Sequence, residues 1–175
     1  HMSRADILKK AQDLSYLSWT ESAHPSGMGG ARPKAREGIG PDAVYYKSFG
    51  LCSQDAAAQL VCCRLMDLLG IEHTPFQLVN ARLCSGAHAW VAKSRSYRRN
   101  KERAISLEDF WELSSKVSEA PLELCARMGW AKQVAECMLV DYLTATRDRD
   151  ESCFEVICDA KGSYRLSPIQ PRSMC

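Results

Sequence analysis

Three segments of the chain carry residue types that can do more than pack. The first is glycine-rich, SGMGGARPK at residues 26–34, and contains Gly27, Gly29, Gly30 and Lys34. Glycines let backbone N–H groups approach and surround an anion, and a lysine adds positive charge. The segment lacks the GK[ST] of a Walker loop and does not open a helix as a Rossmann turn does. It predicts either an anion-binding loop or a plain flexible connection.

The second segment is VYYKSF, in which Lys47 interrupts an aromatic and β-branched run typical of a strand. Side chains alternate between the two faces of a strand, so Tyr45 and Lys47 share one face, and Val44 and Tyr46 share the other. A lysine at such a position either contacts a specific anion or extends into solvent. Both interpretations stay open from the residues alone.

The third segment is DYLTATRDRDESCFEVI, where an apolar, helix-like run ends in alternating charges and an apolar, strand-like run follows. Asp148 and Asp150 flank Arg149 in this turn. Carboxylates at such a place can hold a metal ion or accept the proton of a hydroxyl group. The alternative is a solvated turn laced with ion pairs.

The elements that must position these segments follow from periodicity. Residues 3–19 predict an N-terminal helix, and residues 53–69 predict a helix that ends before Gly70. Residues 75–83 and 87–97 predict a strand pair, and residues 153–169 predict a hairpin. A helix capped by Ser106 and a longer helix over residues 130–146 are also expected; the apolar face of the longer helix comprises Val134, Met138, Leu139, Tyr142 and Leu143.

This order of elements predicts an α+β protein in two lobes. The N-terminal lobe spans residues 1–92 and holds the glycine-rich loop, the lysine strand, a helix and the strand pair. The C-terminal lobe spans residues 93–175 and is mostly helical, with the charged turn and the hairpin.

Composition narrows the function classes. A net charge of +2 over 175 residues gives no clear nucleic-acid signal and no argument for a membrane surface, and no apolar run is long enough to span a bilayer. The nine cysteines are irregularly spaced and form no CxxC pair, which gives a structural zinc site little support. They are typical of small buried side chains in a reducing compartment, so a cytoplasmic location is expected.

The order of the three segments along the chain supports one common interpretation. A protein-kinase-like fold has the same order of parts, which is glycine loop, strand lysine, helix, strand pair, helices, acidic turn and hairpin. Phosphoryl transfer needs a backbone cradle, a cation on the phosphates, a carboxylate near the attacking hydroxyl and ligands for magnesium.

At these residues the chain resembles the HipA-like serine/threonine kinases, the toxin kinases of bacterial toxin–antitoxin systems and their relatives. GGARPKA is similar to that family's phosphate loop, VYYKSF to its nucleotide-lysine strand, and WVAKSRSY to the hinge between its lobes. LVDYLTATRDRDESCF resembles its catalytic stretch, which typically reads Asp-Arg-His-x-x-Asn-Phe, and YRLSPI resembles the strand before its magnesium-binding Asp. The resemblance covers about residues 22–170.

The resemblance implies an ATP site. It places Gly27, Gly29, Gly30 and Lys34 over the nucleotide phosphates and brings Lys47 into contact with them. It places Asp148 at the catalytic base.

Other positions depart from the family. Asp150 stands where the family has His, Cys153 where it has the metal-binding Asn, and Pro171 where it has the magnesium Asp. The acid that pairs with the lysine falls at Gln59, although Asp55 lies one turn earlier. Thiols and proline are poor magnesium ligands, so metal binding is expected to be degraded, with Asp150 or Glu151 as the substitute carboxylate.

Two functions follow from this resemblance. The favoured expectation is a degenerate kinase-fold protein, a pseudokinase, that acts as a nucleotide-binding or regulatory and interaction module. The alternative is an active ATP-dependent kinase that phosphorylates serine or threonine on a protein substrate. The family continues with further helices where this chain stops, so a truncated C-terminal lobe is expected, covered by a homodimer partner or another protein.

Overall fold

The larger of the two β-sheets has five strands. The structure is a computed structural model that describes residues 7–20, 33–50, 53–146 and 154–170. The strands are β1 (Ile7–Asp13), β2 (Lys34–Glu37), β3 (Val44–Ser48), β4 (Phe76–Arg82) and β5 (His88–Arg95), and their order in the sheet is β1-β4-β5-β3-β2. The β1–β4 pair is parallel, and the other pairs are antiparallel.

The remaining elements form one helix beside this sheet and a second, smaller assembly. They are α1 (Ser53–Leu69), β6 (Arg103–Ser106), α2 (Leu107–Ser114), α3 (Pro121–Arg127), α4 (Ala131–Leu143), β7 (Glu155–Cys158) and β8 (Tyr164–Leu166). The strands β6, β7 and β8 make an antiparallel three-stranded sheet in that order. The mixed α+β content predicted from the sequence is confirmed.

The two faces of the five-stranded sheet pack against different groups. Leu78 and Ala92, which are paired across β4 and β5, belong to the main core together with Leu60 and Met66 of α1. This core also includes buried residues of α2, α3, α4, β7 and β8, so it joins the two sheets. A smaller cluster covers the opposite face; it comprises Leu14, Leu17, Ala35, Tyr46, Ala81, Ala89 and Val91.

The predicted N-terminal helix over residues 3–19 is wrong for the residues that the structure describes. Ile7–Asp13 form β1, which pairs in parallel with β4 from Ile7 opposite Leu78. A short segment gains backbone hydrogen bonds along one side by joining an existing sheet edge, which outweighs a weak helical periodicity. Leu14 and Leu17 follow the strand and are buried in the smaller cluster.

Several local predictions are confirmed. Ser106 caps α2, and its hydroxyl accepts a hydrogen bond from the Asp109 N–H at 3.0 Å. The β7–β8 hairpin forms, and the Asp159 carboxylate in its turn accepts from the backbone N–H groups of Lys161 and Ser163 at 2.8 and 2.9 Å. Gly162 in this turn has φ +81°, a conformation that favours glycine.

The predicted apolar face of α4 is wrong in most of its members. Val134 is buried as expected, but the other buried positions are Cys137 and Val140. The exposed apolar side chains are Met138, Leu139, Tyr142 and Leu143. Apolar residues occur all around this helix, so periodicity does not select one face, and the smaller Cys137 and Val140 fit the tight contact. The expected homodimer or partner protein stays a prediction.

Among the described residues, no helix combines the length and the apolar character that a membrane crossing requires.

Candidate functional site

Lys34 and Lys47 are brought side by side. They lie directly opposite each other in the antiparallel β2–β3 pair, and each is only 3% exposed. Side chains at such opposed positions leave the same face of a sheet with their Cβ atoms about 5 Å apart. Both lysines take part in further interactions within the chain. The two predicted phosphate contacts therefore form one buried, doubly cationic surface, called the lysine pair below.

The lysine pair lies on the face of the sheet that packs against α1. In β5, Ala92 lies opposite Lys47, and Ala92 belongs to the main core with α1. Tyr46, the neighbour of Lys47, points to the other side and is buried in the smaller cluster. The alternation predicted for VYYKSF is thus confirmed, and the lysine does not extend into solvent.

Gln59 projects from the buried face of α1 into this core. It is 4% exposed and lies one turn from Ala56 and Cys63, which are both in the main core. Neither the Oε1 nor the Nε2 atom of Gln59 has a hydrogen-bond partner among the residues that the structure describes. An unpaired buried amide is costly, and native structures keep such groups rarely. The helix that packs against the lysine-bearing face of the sheet therefore carries a buried amide with unused hydrogen-bonding capacity.

The other predicted site residues lie outside the described residues. These are Gly27, Gly29 and Gly30 of the glycine-rich segment, and Asp148 and Asp150 of the charged turn. The anion-loop, catalytic-base and metal predictions for them stay predictions. Asp55 is described, is partly exposed and takes part in further interactions.

A buried polar network joins the segment after β5 to the second sheet. Glu155, the first residue of β7, is 8% exposed, and its carboxylate accepts hydrogen bonds from the Tyr97 hydroxyl and from Arg98 Nη2 at 3.0 and 3.1 Å. Gln170 Nε2 donates to the Tyr97 hydroxyl oxygen at 3.2 Å. The Ser167 hydroxyl accepts from the Glu155 N–H at 3.1 Å, so both ends of the glutamate are held.

The protonation states of this network follow from burial and charge. Burial, followed by the neighbouring Glu155 carboxylate, raises the pKa of Tyr97 far above its ordinary value, so its hydroxyl remains a donor. Burial acts to lower the pKa of Arg98, but the Glu155 carboxylate more than offsets this, and the pKa lies above its ordinary value. The Tyr97 phenol therefore stays neutral and the Arg98 guanidinium stays charged at ordinary pH values.

A second ion pair supports the same segment. Arg165 in β8 donates from Nη2 to the Tyr97 carbonyl oxygen at 3.0 Å and to Glu102 Oε2 at 2.8 Å. Together with the Glu155 network, this contact fixes residues 96–102 against the three-stranded sheet. Tyr97, the last residue of the hinge-like stretch WVAKSRSY, is thus held through both its side chain and its backbone carbonyl.

No group of three or more His, Cys, Asp or Glu side chains is arranged to hold a metal ion in the part of the chain that the structure describes. The magnesium prediction rests on Asp150, which is outside that part.

Sequence reasoning missed the Glu155 network. The available signal was a single glutamate inside the apolar run FEVI, since an acid in a buried strand needs a specific partner. Its partners Tyr97 and Arg98 lie more than fifty residues earlier in the chain, and no local pattern links them to it.

Comparison with known proteins supports a kinase-like fold. No family description and no curated protein sequence matches the chain. A solved Helicobacter pylori structure, described as the proinflammatory kinase CtkA, is similar to it with a TM-score of 0.59 and 12% sequence identity. The match covers 93% of this chain and 60% of that chain, so this chain spans 60% of the length of the solved kinase. At this identity the likeness shows the fold, which is a kinase-like α+β fold.

Proposed function

We propose that this kinase-fold protein binds the phosphate groups of a nucleoside triphosphate, ATP, between its lysine pair and α1. The observation that carries the proposal is the burial of Lys34 and Lys47 opposite each other on one face of the sheet. We further propose that it is a short, divergent relative of the HipA-like kinases and acts as a nucleotide-binding or regulatory module.

Electrostatics favours a polyanion at the lysine pair. Two like charges in one buried region repel each other more strongly than they do in water. The contacts that each lysine already makes offset part of this repulsion. A triphosphate carries several negative charges and many acceptor oxygens, so it can bind both ammonium groups at once.

Gln59 strengthens the same assignment. Its buried amide offers two N–H donors that no described residue uses. A phosphate oxygen that reaches the amide gives these donors a partner and removes the cost of leaving them unpaired. A glutamine in this position adds no negative charge, so it does not compete with the phosphates for the lysines.

The proposal that phosphoryl transfer is degraded rests on the sequence. Cys153 and Pro171 stand where the resemblance implies two magnesium ligands, and Gln59 stands where it implies an acid. Loss of such electrostatic groups typically costs orders of magnitude in rate. Asp148 and Asp150 remain as the residues through which a base or a substitute metal ligand would act.

The alternative function is an active serine/threonine kinase with a protein substrate. It is favoured by the kinase-like fold and by the position of Lys47, which lies on a sheet strand directly before the helix, as a nucleotide lysine does. Radiolabelled ATP with magnesium separates the two functions. The regulatory proposal predicts no transfer to itself or to a protein substrate, whereas transfer that Asp148→Asn abolishes would establish the kinase.

Thermal unfolding tests the binding proposal directly. ATP at ten times its dissociation constant stabilises the folded state by about 1.4 kcal/mol, which raises Tm by roughly 3–6 °C for a chain of this size. Lys47→Gln is expected to remove most of this ATP-dependent rise. Each variant is compared with its own Tm without ATP, so that an effect on folding does not mimic an effect on binding.

Lys132→Gln is the matched control, because the Lys132 side chain is 89% exposed and lies on α4. It is expected to keep the whole ATP-dependent rise. The proposal is abandoned if millimolar ATP raises the Tm of none of these proteins, with or without magnesium.

A further inference from the structure

We propose that a cavity at the ends of β4 and β5 is a second ligand site, which takes a small organic anion with a flat apolar part. The cavity has a volume of about 560 Å³, within the range of small-molecule sites. It is formed where β4 begins and β5 ends, beside the segment that the Glu155 network holds. Its lining includes Thr74, Pro75, Phe76, Lys93, Arg95 and Pro168.

This cavity is separate from the lysine pair. Lys47 lies opposite Ala92, so Lys93 and Arg95 project from the other face of β5. Lys93 Nζ lies 5.8 Å from the centre of the Tyr46 ring, which belongs to the smaller cluster on that other face. Neither Lys34 nor Lys47 is among the residues that line the cavity. Phe76 and Ser94 of the lining lie on the same face of the sheet as Lys47, so the cavity reaches both faces, and the lysine pair is not part of it.

The lining is cationic. It holds Lys93 and Arg95, and none of the described residues that line it is Asp or Glu, although the Asp67 carboxylate lies 3.6 Å from Nε2 of the lining His73. The Arg95 side chain is exposed and makes no hydrogen bond or ion pair with any residue that the structure describes. Hydrogen bonds from Tyr16 and Tyr46, with a smaller contribution from the Lys93 ammonium, hold the pKa of Glu37 below its ordinary value. Lys93 is therefore partly engaged, and Arg95 is the main anchor for an anion.

Other residues of the lining provide a polar group and apolar surface for a ligand. Thr74 is 5% exposed, and its buried hydroxyl has no hydrogen-bond partner within the described chain. Phe76, Pro75 and Pro168 provide apolar surface beside it. A guanidinium binds carboxylate, sulfonate and phosphate groups through two parallel N–H bonds. The chemistry that fits is a planar apolar group carrying one such anion.

Titration with 2-naphthalenesulfonate, followed by the backbone amide signals of the full chain in NMR, tests this site. We expect saturable shifts at the amides of Thr74, Gln77, Ser94 and Ser96. Arg95→Gln is expected to weaken binding about tenfold, since it removes a charge-assisted contact. The neutral 2-naphthalenesulfonamide is expected to bind about tenfold more weakly than the sulfonate for the same reason.

Two control variants show whether the sulfonate binds in this cavity or elsewhere on the protein. Arg103→Gln, at an exposed position on β6, and Lys132→Gln, at an exposed position on α4, are both expected to keep the affinity of the parent chain. The proposal is overturned if the sulfonamide binds as well as the sulfonate or if Arg95→Gln has no effect. It is equally overturned if the shifts centre on the exposed apolar side chains of α4, or if millimolar sulfonate causes none.

Discussion

Replacing Gln59 with leucine separates the stability of the free protein from its binding of nucleotide. The Gln59 side chain is 4% exposed, and both of its polar atoms lack partners among the described residues. An unpaired buried polar group costs about 1–3 kcal/mol, and leucine fills a similar volume without that cost. Gln59→Leu is therefore expected to raise the free energy of unfolding by about 1–2 kcal/mol and Tm by roughly 2–8 °C.

The same substitution is expected to weaken ATP binding about tenfold, because it removes the amide donors that we assign to a phosphate oxygen. Urea denaturation without nucleotide measures the first effect, and the ATP-dependent rise of Tm measures the second. A gain in the free energy of unfolding together with a loss of ATP affinity would show that the amide serves binding and not folding.

Gln133→Leu is the matched control. Gln133 is also partly buried, but its Nε2 donates to the Ser167 carbonyl oxygen at 2.5 Å. Its replacement is expected to lower the free energy of unfolding by about 1 kcal/mol and to leave ATP binding unchanged. If Gln59→Leu destabilises the free protein as much as Gln133→Leu does, the reasoning about an unpaired amide is refuted.

Two further predictions concern ion pairs. Glu155→Ala removes the acceptor of the Tyr97 hydroxyl and the ion-pair partner of Arg98, whose side chain is 28% exposed. It is expected to cost about 2 kcal/mol, or roughly 4–8 °C in Tm. Arg82→Gln, at an ion pair more than half exposed on both sides, is expected to cost less than about 1 kcal/mol, and equal costs measured in urea would contradict this ranking. Hydrogen bonds from Arg127 lower the pKa of Glu119 to about 2 from 4.5, so Glu119 stabilises the fold above pH 4.5 and this contribution is lost as the pH falls towards 2. The difference in unfolding free energy between the parent and Glu119→Gln is therefore expected at pH 7 and absent near pH 2; a difference that does not change with pH would contradict it.

Much of the fold was predictable because short-range rules decide it. The strand alternation at Tyr46 and Lys47, the Ser106 cap and the β7–β8 hairpin each follow from a few adjacent residues. The order of three motifs predicted a kinase-like fold, and the fold comparison supports that fold.

The failures have long-range causes. The strand β1 forms because β4, about seventy residues later, offers it a sheet edge, and local periodicity does not contain that information. On α4, apolar residues lie on all sides, so their pattern does not identify the buried face around Cys137 and Val140. The pairing of Lys34 with Lys47 depends on the β2–β3 register, and the sequence of the connection between the two strands does not fix this register.

Isothermal titration calorimetry of ATP, with and without magnesium, against the parent chain and Lys47→Gln tests the central claim most directly. The claim that the buried lysine pair holds nucleotide phosphates predicts saturable binding to the parent chain. It also predicts that Lys47→Gln weakens the affinity at least about tenfold, since a hydrogen bond to a charged group is worth about 1.5–3 kcal/mol. Equal affinity for the two proteins, or no binding heat at millimolar ATP, would contradict it.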